Sequence, residues 1–259
     1  MKITFLGTGP SHGVPVIGCN CAVCSSNDPK NNRYRASVLI NYRNNNILID
    51  TPPEFRLQMI DNQITEINGV LFTHQHADHV HGFDDLRRFN EIQREPIPCY
   101  ANSSTLRDLK NMYSYVFRGG DPDSSSPQVC LQQVEDKFTL NNIEIQPIPI
   151  YHGKSIILGY RIGDFAYLTD CSQIPESSFK FLQDLELLVI GALRYRSHPN
   201  HLSVQEALDV LKQIRPQKTL FTHMTHNLDY YELKSQLPSN IEPAYDGQVL
   251  SLKENKFLK

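Results

Sequence analysis

Thr73-His74-Gln75-His76-Ala77-Asp78-His79 packs four metal-capable side chains, His74, His76, Asp78 and His79, into six consecutive positions. Three imidazoles and a carboxylate at that density cannot alternate along one buried face, so the run reads as a turn. Neutral histidine with ionised aspartate is the nitrogen and oxygen donor set that zinc, manganese and iron accept. The residues just before it, Gly69-Val70-Leu71-Phe72, read as a short buried strand. The donors therefore fall past a strand end, where open α/β sheets place their sites.

Towards the N-terminus, strands are predicted over residues 36–41 and 46–49, joined by the polar turn Arg43-Asn44-Asn45. The second delivers Asp50 ahead of a proline-initiated helix over 53–61. A strand over 2–6 opens the chain and breaks into a long loop, rich in Gly, Pro, Asn and Ser, that reaches about Arg33. So long a loop needs a reason. Towards the C-terminus the pattern predicts a helix over 83–93, a strand over 97–101 and a helix over 104–113 with Ser103 or Ser104 as N-cap. Residues 119–127 read as a turn-rich surface loop. Strands follow over 129–134, 137–140, 143–150, 156–162 and 165–169, then a helix near 175–183, a strand over 187–190, a strong helix over 203–214 and a strand over 218–222. Two runs of strands, each ending in helices, predict an α/β fold of two packed sheets with helices outside, in one domain spanning residues 1–259.

His152 follows the strand over 143–150, Asp170 the strand over 165–169 and His223 the strand over 218–222. In a layered fold the ends of neighbouring strands converge on one edge, so His74, His76, Asp78, His79, His152, Asp170 and His223 can meet although they are far apart in the chain. Seven donors are too many for one ion. They suit two metals, about 3.5 to 4 Å apart in known dinuclear hydrolases, clamping the attacking and leaving oxygens of a displacement.

At these residues the chain resembles the metallo-β-lactamase superfamily, whose signature His-x-His-x-Asp-His is met by His74-Gln75-His76-Ala77-Asp78-His79. The resemblance implies an αββα sandwich of two mixed β-sheets. It implies that His74, His76 and His152 hold one metal, that Asp78, His79 and His223 hold the other, and that Asp170 bridges both. Asp50, in Leu48-Ile49-Asp50-Thr51, resembles the superfamily's aspartate that buttresses the metal loops through hydrogen bonds.

Cys19, Cys21 and Cys24 cluster in Gly18-Cys-Asn-Cys-Ala-Val-Cys, whereas Cys99, Cys130 and Cys171 are scattered and read as ordinary small buried residues. Three thiolates plus one imidazole make a closed tetrahedral zinc site, and His226, in His223-Met224-Thr225-His226, is the candidate fourth ligand. The pairing resembles the PhnP-like cyclic phosphodiesterase branch of the superfamily, in which such a loop, here about residues 7–33, binds a structural zinc with a late histidine. That branch implies a phosphodiesterase in which hydroxide bridging two divalent ions, Mn²⁺ or Zn²⁺, attacks phosphorus. His201, in His198-Pro199-Asn200-His201-Leu202-Ser203, resembles its general-acid histidine, and Asp78 is implied to orient the nucleophile. Arg194 and Arg196 form a pair that could fork onto phosphate oxygens. His81 reads as support to the neighbouring donors.

Composition narrows the substrates. A net charge of −3 and a sequence pI near 6.4 give no footprint for a long polyanion. No stretch approaches a membrane span and the first strand starts without a signal-peptide core, which predicts a cytoplasmic protein. A small phosphodiester substrate is expected, with nucleic acid disfavoured and a homodimer implied by the resemblance. The alternatives on the same fold are a transfer-RNA 3′-processing endonuclease, which shares the seven ligands, and a thioester or lactam hydrolase, which lacks the cysteine cluster.

Overall fold

The computed structural model describes residues 1–118 and 125–253, so most of the loop read over 119–127 lies outside the described residues. The strands are β1 (Lys2–Gly7), β2 (Ser37–Tyr42), β3 (Asn45–Ile49), β4 (Gly69–Leu71), β5 (Ile97–Ala101), β6 (Val129–Gln133), β7 (Phe138–Leu140), β8 (Ile143–His152), β9 (Ser155–Ile162), β10 (Phe165–Leu168), β11 (Leu187–Gly191), β12 (Lys218–Thr222), β13 (Ile241–Pro243) and β14 (Val249–Ser251). The α-helices are α1 (Phe55–Asp61), α2 (Ala77–Val80), α3 (Leu86–Gln93), α4 (Ser103–Met112), α5 (Ser114–Phe117), α6 (Val204–Ile214) and α7 (Tyr230–Gln236).

Two seven-stranded sheets result, in the orders β14-β1-β2-β3-β4-β5-β6 and β13-β12-β11-β10-β9-β8-β7. Each is mixed. β1, β2 and β3 pair antiparallel and β3 to β6 parallel, while β7 to β10 pair antiparallel and β10 to β13 parallel. The two-residue turn between β2 and β3 puts Arg43 and Asn44 at φ 49° and 59°, the left-handed pair whose twist suits a tight hairpin.

Period-two alternation explains the layering. Ile3 and Phe5, Val38 and Ile40, Ile47 and Ile49, Phe165 and Tyr167, and Leu187 and Val189 point between the sheets into a shared core. The intervening Leu39, Leu48 and Val70 face outward, where Phe55, Met59, Phe83, Leu86, Phe89, Leu106 and Leu109 cover them. On the other sheet Ala166, Leu168, Leu188 and Ile190 pack with Val204, Ala207, Leu211, Ile214 and Leu233. Helices outside two facing sheets make the αββα sandwich. No helix among the described residues is long and apolar enough to cross a membrane.

Several local expectations change. The metal-rich run is not a turn throughout, since Ala77 to Val80 form α2 and carry Asp78 and His79 on a helix. α4 starts earlier, with Asn102 as the N-cap accepting from the Thr105 amide, because an asparagine one residue upstream competes successfully with either serine. The 83–93 segment divides into a 3₁₀ turn over Phe83–Asp85 and α3, and the one near 175–183 is a 3₁₀ helix, Glu176–Leu182. β8 runs on through His152, which therefore ends the strand rather than following it. Cys99 and Cys171 are buried as expected, but Cys130 is exposed. α7, β13 and β14 have no counterpart in the sequence reading, being too short and polar to show a period. At α6, Ser203 and Glu206 close a reciprocal capping box directly after His201 and Leu202.

Candidate metal centre

The site residues gather along the edge where the parallel strands end: the buttressing Asp50 beyond β3, and the donors His74 beyond β4, His152 at the end of β8, Asp170 beyond β10 and His223 beyond β12. Three of these residues, Asp50, Asp170 and His223, leave their strands with left-handed φ of 64°, 54° and 57°. Non-glycine residues pay roughly 1 kcal/mol or more for that, and such positions cluster where the backbone serves a site.

One donor atom each from His74, His76 and His152 lies within 4.8 Å of the others, and the same holds for Asp78, His79, Asp170 and His223. Asp170 stands between the two groups. Its Oδ1 is 3.2 Å from His79 Nε2 and 3.3 Å from His223 Nε2, while its Oδ2 is 4.0 Å from His74 Nε2 and 3.8 Å from His201 Nδ1. Asp78 Oδ2 lies 3.4 Å from His79 Nε2 and 3.6 Å from His223 Nε2.

The far side of three of the rings is already committed. His79 Nδ1 is 2.7 Å from Asp50 Oδ2, His74 Nδ1 is 3.0 Å from Thr73 Oγ1, and His152 Nδ1–H donates to the Asn200 carbonyl at 2.9 Å. Asp50 also accepts from the Thr73 amide and hydroxyl, both at 2.8 Å, so one buried carboxylate holds β4's exit and the His79 ring together. On the inward side, Nε2 of His74, Nε2 of His79 and both ring nitrogens of His223 are buried without a hydrogen-bond partner. An unmatched buried polar atom costs about 1–3 kcal/mol. Several converging on one spot, with two carboxylates, fit divalent cations.

The electrostatics agree. Burial works to strip His79 of its proton, but the charges of Asp170, Asp78 and Asp50 overcome it and hold its pKa well above the ordinary value. Burial would raise Asp170, yet His223, His79 and His74 hold it well below the carboxylate range. Asp78 is likewise held low, against burial, by His79 and His223. His74 is driven well down by burial and then by His79, leaving a neutral ring with a lone pair to offer.

His201 lies beside this edge. Its ring centroid is 4.7 Å from that of His152 and 5.0 Å from that of His223, and the Leu202 amide anchors the segment to the Cys171 carbonyl at 2.7 Å. Burial, then His223, lower its pKa to about 3. Arg194 and Arg196 do not act as a pair: Arg194 forks onto the Arg196 and Ser197 carbonyls of its own loop. Arg194 does line a concavity of about 340 Å³ with His12, His198, His201 and His223. His81 is exposed at the end of α2.

A second cluster sits on the loop after β1. The sulfurs of Cys19, Cys21 and Cys24 lie 3.2, 3.5 and 3.4 Å from His226 Nδ1. The Cys24 amide donates to Cys21 Sγ, which above all lowers Cys21 to about 6, whereas burial pushes Cys24 up to about 11. Three sulfurs around one imidazole nitrogen suit zinc. The loop is tied to the His223 segment by more than this cluster. Buried Arg33 donates to the Thr225 and Leu228 carbonyls at 2.9 and 2.7 Å, and the Met224 amide to the Thr8 carbonyl at 2.9 Å. Sequence reading passed over Arg33 and Asn200, whose partners are backbone carbonyls with no side-chain signature.

The sandwich with this donor edge is that of a metal-dependent hydrolase. A family model described as a beta-lactamase superfamily domain matches residues 45–224, and the chain belongs to the metallo-β-lactamase superfamily, in its PhnP-like branch. A solved structure described as a new diphosphatase from the PhnP family is 39% identical, covers 97% of this chain and 98% of its own, and superposes with a TM-score of 0.91. An octanoyltransferase of Porphyromonas gingivalis is 36% identical over 251 residues, which are 95% of this chain but 51% of that protein, so the chain spans about half the length of that relative. A ribonuclease Z of Borrelia duttonii is 23% identical over 89% of this chain and 95% of its own.

Proposed function

We propose that this protein hydrolyses a small cyclic phosphodiester, using two divalent ions at the strand-end edge, Mn²⁺ or Zn²⁺, and a structural zinc in the cysteine cluster. The observation that carries the reading is Asp170, whose two oxygens face the two donor groups while His201 adjoins the second oxygen. His74, His76 and His152 would hold one ion and Asp78, His79 and His223 the other, with an oxygen of Asp170 facing each group. When bound, the two ions ionise water near neutral pH and offset the phosphoryl charge.

The chain's own residues then divide the work. Asp78, kept ionised, accepts a hydrogen bond from the attacking water and aims it at phosphorus. His201 donates its proton to the leaving oxygen, which a poor leaving group such as a sugar alkoxide requires. The imidazole is neutral at rest, so the proton it gives is one it takes up from solvent when the negative charge of the arriving phosphodiester raises its pKa. Cys19, Cys21, Cys24 and His226 hold the loop after β1 against the segment that carries His223.

The diphosphatase relative makes a phosphoanhydride the natural competing substrate, since the same attack on phosphorus with phosphate leaving needs less from His201. Turnover is to be measured on bis(p-nitrophenyl) phosphate, cyclic ribose phosphates, a diphosphate ester and a precursor transfer RNA with Mn²⁺ or Zn²⁺ added. Cleavage of the cyclic ester is the expected result. No phosphodiester turnover at all sinks the reading, and cleavage confined to the diphosphate or to the transfer RNA replaces it.

A further inference from the structure

We propose that Arg33 is the positioning residue and the counter-charge of the zinc cluster: its backbone closes the neck of the cysteine loop, its guanidinium grips the turn that bears His226, and its charge offsets that of the occupied site. The proposal rests on the reading of Cys19, Cys21, Cys24 and His226 as a zinc site.

The backbone half is local. The Arg33 amide donates to the Val14 carbonyl at 2.7 Å and the Val14 amide to the Arg33 carbonyl at 2.9 Å, an isolated β-bridge that closes residues 14–33 into a loop. Two residues past that neck the Val16 amide donates to Cys24 Sγ at 3.3 Å, and the Val16 carbonyl accepts from the Cys19 amide at 3.0 Å. The neck therefore sets where the sulfurs stand. The side chain reaches the other half of the site. Nη1 donates to the Thr225 carbonyl at 2.9 Å and Nη2 to the Leu228 carbonyl at 2.7 Å, and these two carbonyls flank His226. The Leu228 amide closes on the same Thr225 carbonyl at 3.2 Å, so a planar fork holds one tight turn at both ends. Sulfurs and imidazole, far apart in the chain, are both referred to Arg33.

The charge half comes from what the guanidinium lacks. Arg33 is 2% exposed, and its Nε is buried without a hydrogen-bond partner. Among the described residues its hydrogen bonds go to the two carbonyls and to Asn31 Oδ1, not to a carboxylate. A buried cation with no anion against it is strongly disfavoured. Burial pulls its pKa down to about 10, opposed by the charges of Asp246, Asp229 and Cys24 in that order. The first two are weakened or engaged elsewhere: burial pushes Asp246 up to about 7, and Asp229 accepts from Asn31 and from the Tyr231 and Glu232 amides. The third belongs to the cluster. Three thiolates and a neutral imidazole around a divalent ion leave surplus negative charge, which is the anion this cation is missing.

Arg33→Met, which keeps the length of the side chain and drops both fork and charge, tests the assignment. Zinc affinity is to be measured by chelator competition, with the thiolate charge-transfer band of bound cobalt(II) reporting the cysteine cluster alone. The affinity of that cluster is expected to fall about 10- to 100-fold, and the rise in unfolding temperature that zinc gives should shrink with it. The variant thus loses more unfolding temperature in zinc than in chelator. A purely structural Arg33 would cost the same in both, and equal losses overturn the proposal. Arg33→Lys, which keeps the charge on a single donor, is expected to bind zinc more tightly than Arg33→Met, and equal affinities overturn the counter-charge.

The unsubstituted protein gives a reading that needs no folded variant. Nitrogen-15 spectra should show the Arg33 guanidinium protons exchanging with solvent more slowly in zinc than in chelator, and the same rate in both overturns the proposal. A wild type without the cobalt thiolate band sinks the zinc reading and the proposal together, whereas a wild type with the band and an unchanged affinity in Arg33→Met sinks the proposal alone.

Discussion

The two metal-capable regions of this chain are built in opposite ways. The histidine and aspartate edge is drawn from both sheets, and apart from His76 its seven residues are buried, with ring nitrogens aimed inward and left without partners. The cysteine cluster is half-buried, three of its four donors come from one short loop, and its sulfurs already take backbone N–H bonds from Val16 and Cys24. The first is held by the fold and asks for cations to complete it. The second holds the fold, for it is the loop after β1 that gains its anchor there. Rigid strands suit the site where geometry governs chemistry, and a loop suffices where only a clamp is needed.

Asp170→Asn attacks that contrast where it is steepest. Turnover should fall by about 10³-fold or more, the scale seen when a charge-stabilising group at a reacting centre is lost, while zinc in the cysteine cluster stays in place. If metal analysis shows the cluster emptied as well, the two regions are one cooperative unit and the contrast fails. Asp50→Asn should weaken the metal edge by about 10- to 100-fold, since it supports His79 and the Thr73 exit without being a donor to the ions. A circular dichroism spectrum like the wild type's should accompany that loss, and unaltered metal affinity would count against it.

Cys21→Ser should do the reverse. One zinc per chain is lost and the unfolding temperature drops, because binding energy at such a site is folding energy, while turnover falls far less than in Asp170→Asn. A variant that keeps its full zinc content refutes the cysteine reading.

The anchoring of the same loop should also depend on pH. Asp246 accepts from the Tyr34 amide and the Thr8 hydroxyl, yet burial pushes its pKa up to about 7 from an ordinary 3.8. The folded chain thus holds this proton more tightly than the unfolded one. The resulting stabilisation is complete below pH 3.8 and is lost as pH rises through 7. Asp246→Asn should flatten the decline in unfolding temperature between acid and neutral pH, and an identical slope in variant and wild type would exclude Asp246 as its source. The smallest expected effect is at Ser203→Ala, which opens the α6 capping box at a cost of about 1 kcal/mol in denaturant unfolding. Its leaving-group dependence should stay that of the wild type, since His201 is anchored through Leu202 rather than through the cap.

Legibility in the sequence followed the range of the interaction. The donor run from His74 to His79 and the Cys19, Cys21, Cys24 loop stand out because their density is local, and the strand alternation of residues such as Ile47, Leu48 and Ile49 is a two-residue rule. Boundaries moved where neighbours compete for one role, as Asn102 took the cap from Ser103 and Ser104. α7, β13 and β14 were missed because they form on a surface that earlier elements create. The Asn200 carbonyl under His152 was invisible because every residue has a carbonyl.

Sequence by itself determined the chemistry on offer: which side chains can bind cations, that they follow strands, and that the strands form two layers. Only the tertiary structure decided that Asp170 turns one oxygen to each donor group, that His226 meets the three cysteines, and that the Asn200 carbonyl meets His152. Those facts are distances between residues far apart in the chain, and such distances arise from how two sheets pack rather than from any pattern a short window can hold.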